Sequence, residues 1–524
     1  MKRILLLSYY DLPSYLKTCF LYLSIFPEDH QISRDRLTRR WICEGFIQVK
    51  GQTSPLAENQ PSLLELGDAY FNELVNRNMI MPINIHSGRV GACCVHDIML
   101  DLICELSSEE NFVTVLDFIK GDTPLEKKFR RLSLQKGMTD PTTTRMATTS
   151  MSQVRSFTAF SPSVSKIPSI SRFQVLRVLD LEGCDLQKIP GIDLSHVEKL
   201  LHLRYLGLRG TKVGKLPMEI GKLRFLQTLD LQLTNSKELP SSVVQLRHLM
   251  CLILDFDMPL PKGFSNMTCL EQLMGHNMGF VSEETAKELG HLSRLRELAF
   301  RFDSDIGEGV DDDEDTKALI GSLAKLYKLE SLEISSPKYW FDNVLMDWVP
   351  SQNLQRLRLY GKFRRLPTWI CSSSLPLLSY LDLNAMEVRF RDIQILGMLP
   401  ALRYVTLISV LSKGRNLVEK LVLSFGAFPS AKVCLFHKLI LVHPTFQPGA
   451  MPMVQRLRFG LRVNDIISPD FNLSIQNLPS LQQLRIDLLD YEIKHEDYSQ
   501  AMDVLRCVAE GHPKNPTLRA DKFI

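Results

Sequence analysis

The stretch LRVLDLEGCDLQKIP, residues 176–190, decides how most of this chain folds. Its leucines at 176, 179 and 181 leave Val178 and Asp180 between them, the alternation of a half-buried strand. The same hexamer returns as LRYLGL at Leu203, LQTLDL at Leu226 and LMCLIL at Leu249, with spacings of 27, 23 and 23 residues. It continues as LRELAF at Leu295, LESLEI at Leu329, LQRLRL at Leu354 and LSYLDL at Leu378, then LRYVTL at Leu402, VQRLRF at Val454 and LQQLRI at Leu481. Weaker copies are LEQL at Leu270 and FHKLIL at Phe436, with FRRLSL at Phe129 and VRSFTA at Val154 as degenerate first turns. Chance leucines in helices do not hold one register from Leu176 to Leu481.

A period of roughly 20–29 residues is that of leucine-rich repeats, in which each unit buries its leucines only by stacking on its neighbours. The expected fold is an α/β leucine-rich-repeat solenoid (horseshoe) with one parallel sheet, preceded by a mainly α-helical winged-helix domain. Side chains between the leucines point away from the buried face and form the default binding surface. In early repeats these are Asp180, Glu182, Asp230 and Asp255; later ones carry Arg356, Arg358, Tyr360, Arg456, Arg458 and Arg485, with Arg209 and Asp487 as exceptions. Tyr205, Tyr380 and Tyr404 join the arginines as candidate partner-binding residues. The Leu-Pro pair after the strand, as at Leu216-Pro217, differs from the G-x-I-P signature of extracellular plant repeats. Between Leu295 and Leu329 the spacing stretches to 34 and contains the acids Asp311 to Asp315. Such a run reads as a solvated loop, with a cation or a basic partner surface as the alternative.

Composition excludes other classes. The chain has 524 residues, 45% hydrophobic and 23% charged, and a net charge of +3, so no global field points to nucleic acid or an anionic membrane. Eleven scattered cysteines without a Cys-x-x-Cys pair suggest reduced thiols in a cytoplasmic protein. The opening MKRILLLSYYDLP is too short in its apolar part for a signal peptide, and no window reaches a membrane span. The sequons at Asn266 and Asn472 are therefore idle in this reading. No zinc-protease or nucleophile-elbow motif occurs, so no catalytic residue and no metal site are expected.

Residues 1–118 do not repeat. The apolar run CFLYLSIF, residues 19–26, follows Pro13 and stops at Pro27-Glu28-Asp29, as a buried helix that must turn sharply would. Ser33 and Gly45 bracket a second helix, whose Arg34, Arg36, Arg39 and Arg40 are expected to form a solvated face rather than to read DNA. A third helix in SLLELGDAYFNELVNRN and two short strands turning at His86-Ser87-Gly88 complete a winged-helix pattern. Val95-His96-Asp97 then opens a helix with its stripe at Ile98, Leu102, Ile103 and Leu106. Asp97 is placed to cap it, and the positive helix end beside His96 suits a phosphate.

The segments LSYYDLPSYLKTCFLYLSIFPEDHQI, RWICEGFI, YFNELVNRNMI and VHDIMLDLI occur in this order and resemble the winged-helix end of the nucleotide-binding module of plant intracellular leucine-rich-repeat immune receptors, coiled-coil class. FRRLSLQ, VRSFTAF and the closing HPKNPTLRADKF also fit, and the resemblance covers essentially the whole chain. One departure is Val95 where the motif carries methionine. The resemblance implies an N-terminally truncated receptor in three parts: a winged-helix portion at 1–118, a connection with degenerate repeats at 119–160, and repeats at 161–524. It implies that the repeats sense a pathogen effector or guarded host protein and restrain an ADP/ATP switch through contact with nucleotide-binding and coiled-coil domains. It further implies that His96 faces the ADP β-phosphate and Asp97 orients the turn. No G-x-x-x-x-G-K-[ST] loop is present, so ATPase activity and stable nucleotide binding by this chain alone are not expected. A free-standing repeat adaptor or decoy, binding a protein partner without nucleotide, is the alternative.

Overall fold

The computed structural model describes residues 2–48, 61–86, 89–115, 129–135, 151–160, 169–185, 194–277, 283–301, 314–340, 345–409, 416–419, 421–489 and 495–522. They divide into two compact units, residues 1–276 and 277–524.

The first unit opens with α1 (Lys2–Tyr10) and α2 (Ser14–Leu21), continued by a 3₁₀ turn over Tyr22–Ile25. Every residue from Cys19 to Phe26 is buried, and Glu28 and Asp29 are exposed. The chain reverses there because Asp29 takes a left-handed φ of 57° and the His30 N–H donates to the Pro27 carbonyl. Strand β1 (Ile32–Ser33) leads into α3 (Arg34–Glu44), where the Ser33 hydroxyl accepts from the Arg36 N–H and Gly45 ends the helix at φ 84°. Helix α4 (Leu63–Asn76) begins at Ser62 with a reciprocal capping box to Glu65. Strands β2 (Met81–His86) and β3 (Arg89–Cys94) form the antiparallel wing, and β1 joins on β3. Helix α5 (Asp97–Glu109) packs its Leu102 and Ile103 into the same core as the Cys19 run. Ser87 and Gly88 of the expected wing turn lie outside the described residues.

The repeat strands of this unit follow in parallel: β4 (Thr114–Val115), β5 (Arg131–Leu134), β6 (Ser156–Ala159), β7 (Val178–Asp180), β8 (Tyr205–Gly207), β9 (Thr228–Asp230), β10 (Cys251–Ile253) and β11 (Gln272–Asn277). Each pairs with the next in unbroken register from Thr114 to Met274. The degenerate copies at Phe129 and Val154 are thus true rungs. Pro217 and Pro240 of the Leu-Pro pairs cap the 3₁₀ turns over Met218–Lys222 and Ser241–Gln245 that carry the chain between strands.

In the second unit the strands are β12 (Glu297–Arg301), β13 (Ser331–Trp340), β14 (Arg356–Phe363), β15 (Tyr380–Ala385) and β16 (Tyr404–Ser409). They are followed by β17 (Asn416–Glu419), β18 (Val422–Leu423), β19 (Val433–Val442), β20 (Thr445–Phe446), β21 (Arg456–Arg462), β22 (Gln483–Leu489) and β23 (Thr517–Lys522). The parallel ladder runs β12 to β16, then β19, β21, β22 and β23; β17 pairs with β19, and β18 pairs with β20. One register is corrected. Tyr404 pairs with Val433, so the repeat begins at Ala431 as AKVCLF rather than at Phe436. Ala431 and Cys434 occupy leucine positions and are fully buried. The long spacing before Leu329 holds a helix over Glu314–Lys325; Asp311 to Asp313 of the acidic run lie outside the described residues.

Candidate functional site

The outward face of the first repeats is occupied by α3. Arg36 and Arg40 each reach Asp180 at 2.8 Å, and Arg36 also pairs with Glu182 at 2.6 Å. Arg40 donates further to the Tyr22 hydroxyl and to Thr158 Oγ1, and its guanidinium lies over the Tyr22 and Phe26 rings at 5.2 and 5.0 Å. Arg39 donates to Gln272 at 2.8 Å, and Glu44 accepts from Arg131 at 3.0 Å. Arg34 turns to the wing side, onto Asp68. The expectation of a solvated arginine face is corrected: Arg34, Arg36, Arg39 and Arg40 are all buried. Burial of a charge is tolerated only when paired and hydrogen-bonded; Asp180 and Glu182 supply that pairing for Arg36 and Arg40, Asp68 of α4 for Arg34, and the Gln272 side chain accepts from Arg39.

The electrostatics follow. Burial alone would raise the Asp180 carboxyl, but Arg36 and then Arg40 outweigh it and hold it below the usual carboxylate range. Burial raises Glu182 and Asp230 above that range despite the neighbouring arginines. Tyr205, expected among the partner-binding residues, is instead packed against Cys43 of α3 and only 1% exposed; burial pushes its hydroxyl well up. Between the rungs of Asp180 and Asp230 lies Gly207. A Cβ there would meet the Tyr205 ring at 2.7 Å and Asp180 Oδ1 at 2.9 Å, so the absent side chain leaves room for that ring and that carboxylate.

In the second unit the structure brings Arg356, Arg358, Tyr360, Tyr380 and Tyr404 together on β14, β15 and β16. The Tyr380 and Tyr404 rings stack at 4.6 Å with 2° between planes, and Arg358 lies 4.8 Å over Tyr380. Arg358 also pairs with Glu333 at 3.3 Å, and Arg356 with Glu297 at 2.8 Å. Tyr360 and Tyr380 both donate to Oδ2 of Asp382, at 3.3 and 3.5 Å. Arg456, Arg458 and Arg485 form a separate group on β21 and β22. Arg458 is bidentate on the buried Asp487, Arg485 binds Asp521 at 2.6 Å, and Arg456 is exposed. The basic face is therefore largely neutralised by its own strands. Asp382 escaped the sequence reading, although LSYLDL places it where LRVLDL places Asp180.

His96 and Asp97 sit exposed at the start of α5. The capping expectation shifts by one residue: His96 is the N-cap, with its carbonyl accepting from Met99 and Leu100, and Asp97 is the first helical residue. His96 makes no side-chain cap. Its imidazole is exposed beside the first turn of this 13-residue helix, at the positive end of the helix dipole.

The eleven cysteines form no disulfide with one another, and no described helix is long and apolar enough to cross a membrane. Residues 153–518 match the family described as a leucine-rich repeat region, and residues 25–103 match the disease resistance protein winged helix domain. Disease resistance protein Pik-2 of Oryza sativa subsp. japonica is 33% identical over 452 residues, 79% of this chain and 43% of that protein. Disease resistance protein RGA5 of the same organism is 30% identical over 531 residues, 98% of this chain and 45% of that protein. The chain thus spans less than half the length of these curated relatives. Among solved structures, a leucine-rich-repeat protein of Leptospira interrogans is similar at 18% identity and a TM-score of 0.43, covering 74% of this chain and 100% of that one. With a winged-helix block docked on a ladder of repeats, and with these relatives, the chain belongs to the leucine-rich-repeat disease resistance proteins of plants.

Proposed function

We propose that this chain is the sensing and restraining portion of a cytoplasmic plant immune receptor. Its repeats recognise a pathogen effector or a guarded host protein, and its winged-helix block passes their state to an ADP/ATP switch. The observation that carries this reading is the seating of Arg36 and Arg40 on Asp180, which ties the block to the repeats through buried charge. Bound nucleotide would supply the phosphate that separates two states of such a receptor. His96 and the first turn of α5 would give it one charge-assisted contact, worth about 1.5–3 kcal/mol. That biases a two-state equilibrium by roughly one to two orders of magnitude. Within this chain no phosphate loop accompanies that contact, so the reaction class is recognition, not hydrolysis.

The test is resting signal in leaf tissue from a full-length receptor carrying this chain. Arg40→Ala and, separately, Asp97→Val are expected to signal without a pathogen. A silent Arg40→Ala variant that accumulates normally refutes restraint through the docked helix. A silent Asp97→Val variant removes His96 and Asp97 from the switch.

A further inference from the structure

Three hexamers end in Leu-Asp-Leu and place Asp180, Asp230 and Asp382 at one strand position. The first unit shows what that position does: Asp180 takes two guanidinium groups, one of them held over the rings of Tyr22 and Phe26. The second unit repeats the acceptor with no described guanidinium hydrogen-bonded to it, although Arg358 lies across from Asp382 in the ladder. Asp382 is 9% exposed, both tyrosine hydroxyls fall on Oδ2, and Oδ1 is buried without a hydrogen-bond partner. Thr406 lies directly across from Asp382 in the ladder, is 6% exposed, and has an unpartnered Oγ1. Two residues along the same face of β15, Asn384 Oδ1 is also unpartnered.

Unmet acceptors at buried positions beside the partly exposed Tyr404 mark a place for a donor. The charged groups around it are Arg358, already on Glu333 and the Tyr380 hydroxyl, together with Glu333 and Asp382 themselves. The local balance of these three is one negative charge. Burial leaves the Asp382 carboxyl above its usual range, with Arg358 acting in the opposite sense. The half-exposed Tyr404, stacked flat on Tyr380, offers an aromatic surface beside the carboxylate, as Tyr22 does beside Asp180.

We propose that Asp382, Thr406 and the Tyr380–Tyr404 stack receive the guanidinium of an arginine-bearing segment of a partner protein. This rests on the sensor reading of the repeats and adds the chemistry of what they take. The arginine would donate to Asp382 Oδ1 and lie against Tyr404, with Arg358 and Thr406 flanking the acceptor where Thr158 and Gly207 flank Asp180. Lysine keeps the charge but loses the planar fork and its stacking, so arginine is the better occupant.

The probe is a labelled Gly-Arg repeat peptide, with Gly-Lys and Gly-Glu peptides for comparison, titrated by fluorescence polarisation into the purified chain at low salt. The Gly-Arg peptide is expected to bind best, and Asp382→Asn to weaken it by roughly tenfold or more. Tyr404→Ala, which removes a partly exposed ring, weakens it several-fold and serves if Asp382→Asn fails to fold. Glu238→Gln, a loss of charge at an exposed site of the first unit, leaves binding unchanged. Equal loss in Glu238→Gln, no loss in Asp382→Asn or Tyr404→Ala, or preference for the Gly-Glu peptide overturns the proposal. The resting-signal test perturbs α3 and α5 only. Failure of the peptide test therefore leaves the receptor reading intact, and failure of the signal test with peptide binding retained leaves the cation site intact.

Discussion

Replacement of Asp180 by asparagine keeps the shape of the side chain and removes the charge on which two buried arginines converge. Arg36 retains Glu182, whose side chain is 32% exposed, but Arg40, whose side chain is fully buried, keeps only the neutral Tyr22 and Thr158 hydroxyls. Leaving a buried charge without its partner costs about 3–5 kcal/mol. The helix that carries the charge is α3, so the cost is expected as local opening of α3 from the strands. Measured by deuterium exchange, the protection of α3 amides falls by roughly two to three and a half orders of magnitude, since each ~1.4 kcal/mol is tenfold. Protection of β15 and β16 in the other unit stays unchanged. A fall in α3 protection of less than tenfold would show that Asp180 does not hold the arginines in solution. The pH dependence has a definite sign. The folded carboxyl is below its unfolded value of about 3.9, so its stabilisation is present above that value and is lost as pH falls through the folded one.

Two further outcomes test the same face. Gly207→Ala places a methyl against the Tyr205 ring and Asp180 and is expected to lower unit stability by about 1–3 kcal/mol; an unchanged urea midpoint argues against close contact there. His30, between the Phe26 and Phe160 rings, is brought down to about 4 by burial, then by Arg36 and Arg40. The unfolded chain takes up that proton first, so the first unit loses stability as pH falls from about 6.5 to about 4. The slope is at most about 1.4 kcal/mol per pH unit, reduced by solvent at the half-buried ring. His30→Gln should flatten the melting temperature across that window, and an equal slope in both proteins excludes His30 as its source.

The sequence makes the strands legible because burial of every second residue leaves a period that survives substitution. It also marks both ends of α3, since Ser33 and Gly45 act through the backbone beside them. What it hides are pairings made across the chain. Arg36 and Asp180 are 144 residues apart, and nothing local to either distinguishes a buried ion pair from a solvated charge. At Ala431 the repeat was obscured because alanine and cysteine fill positions that leucine marks elsewhere. At His96 the error was a single residue: aspartate serves both as a cap and in the first turn, and the backbone alone decides which. In the candidate face of the second unit the arginines, the tyrosines and Asp487 were visible, but not Glu297, Glu333 and Asp382, the carboxylates beside Arg356, Arg358 and the tyrosines. Asp382 was recoverable only by comparing one repeat with another.

The docking of α3 also imposes an order on biosynthesis. Arg36, Arg39 and Arg40 are made 144, 233 and 140 residues before the Asp180 and Gln272 partners that satisfy them. At about 5–20 residues per second, the helix waits for roughly 7–30 s before Asp180 even leaves the ribosome. During that interval the nascent block exposes guanidinium groups and an incomplete core face, the condition under which chains engage chaperones. A cut placed between the wing and the first repeats would make that interval permanent. The boundary that sequence motifs suggest near residue 118 is therefore not one at which α3 can finish folding.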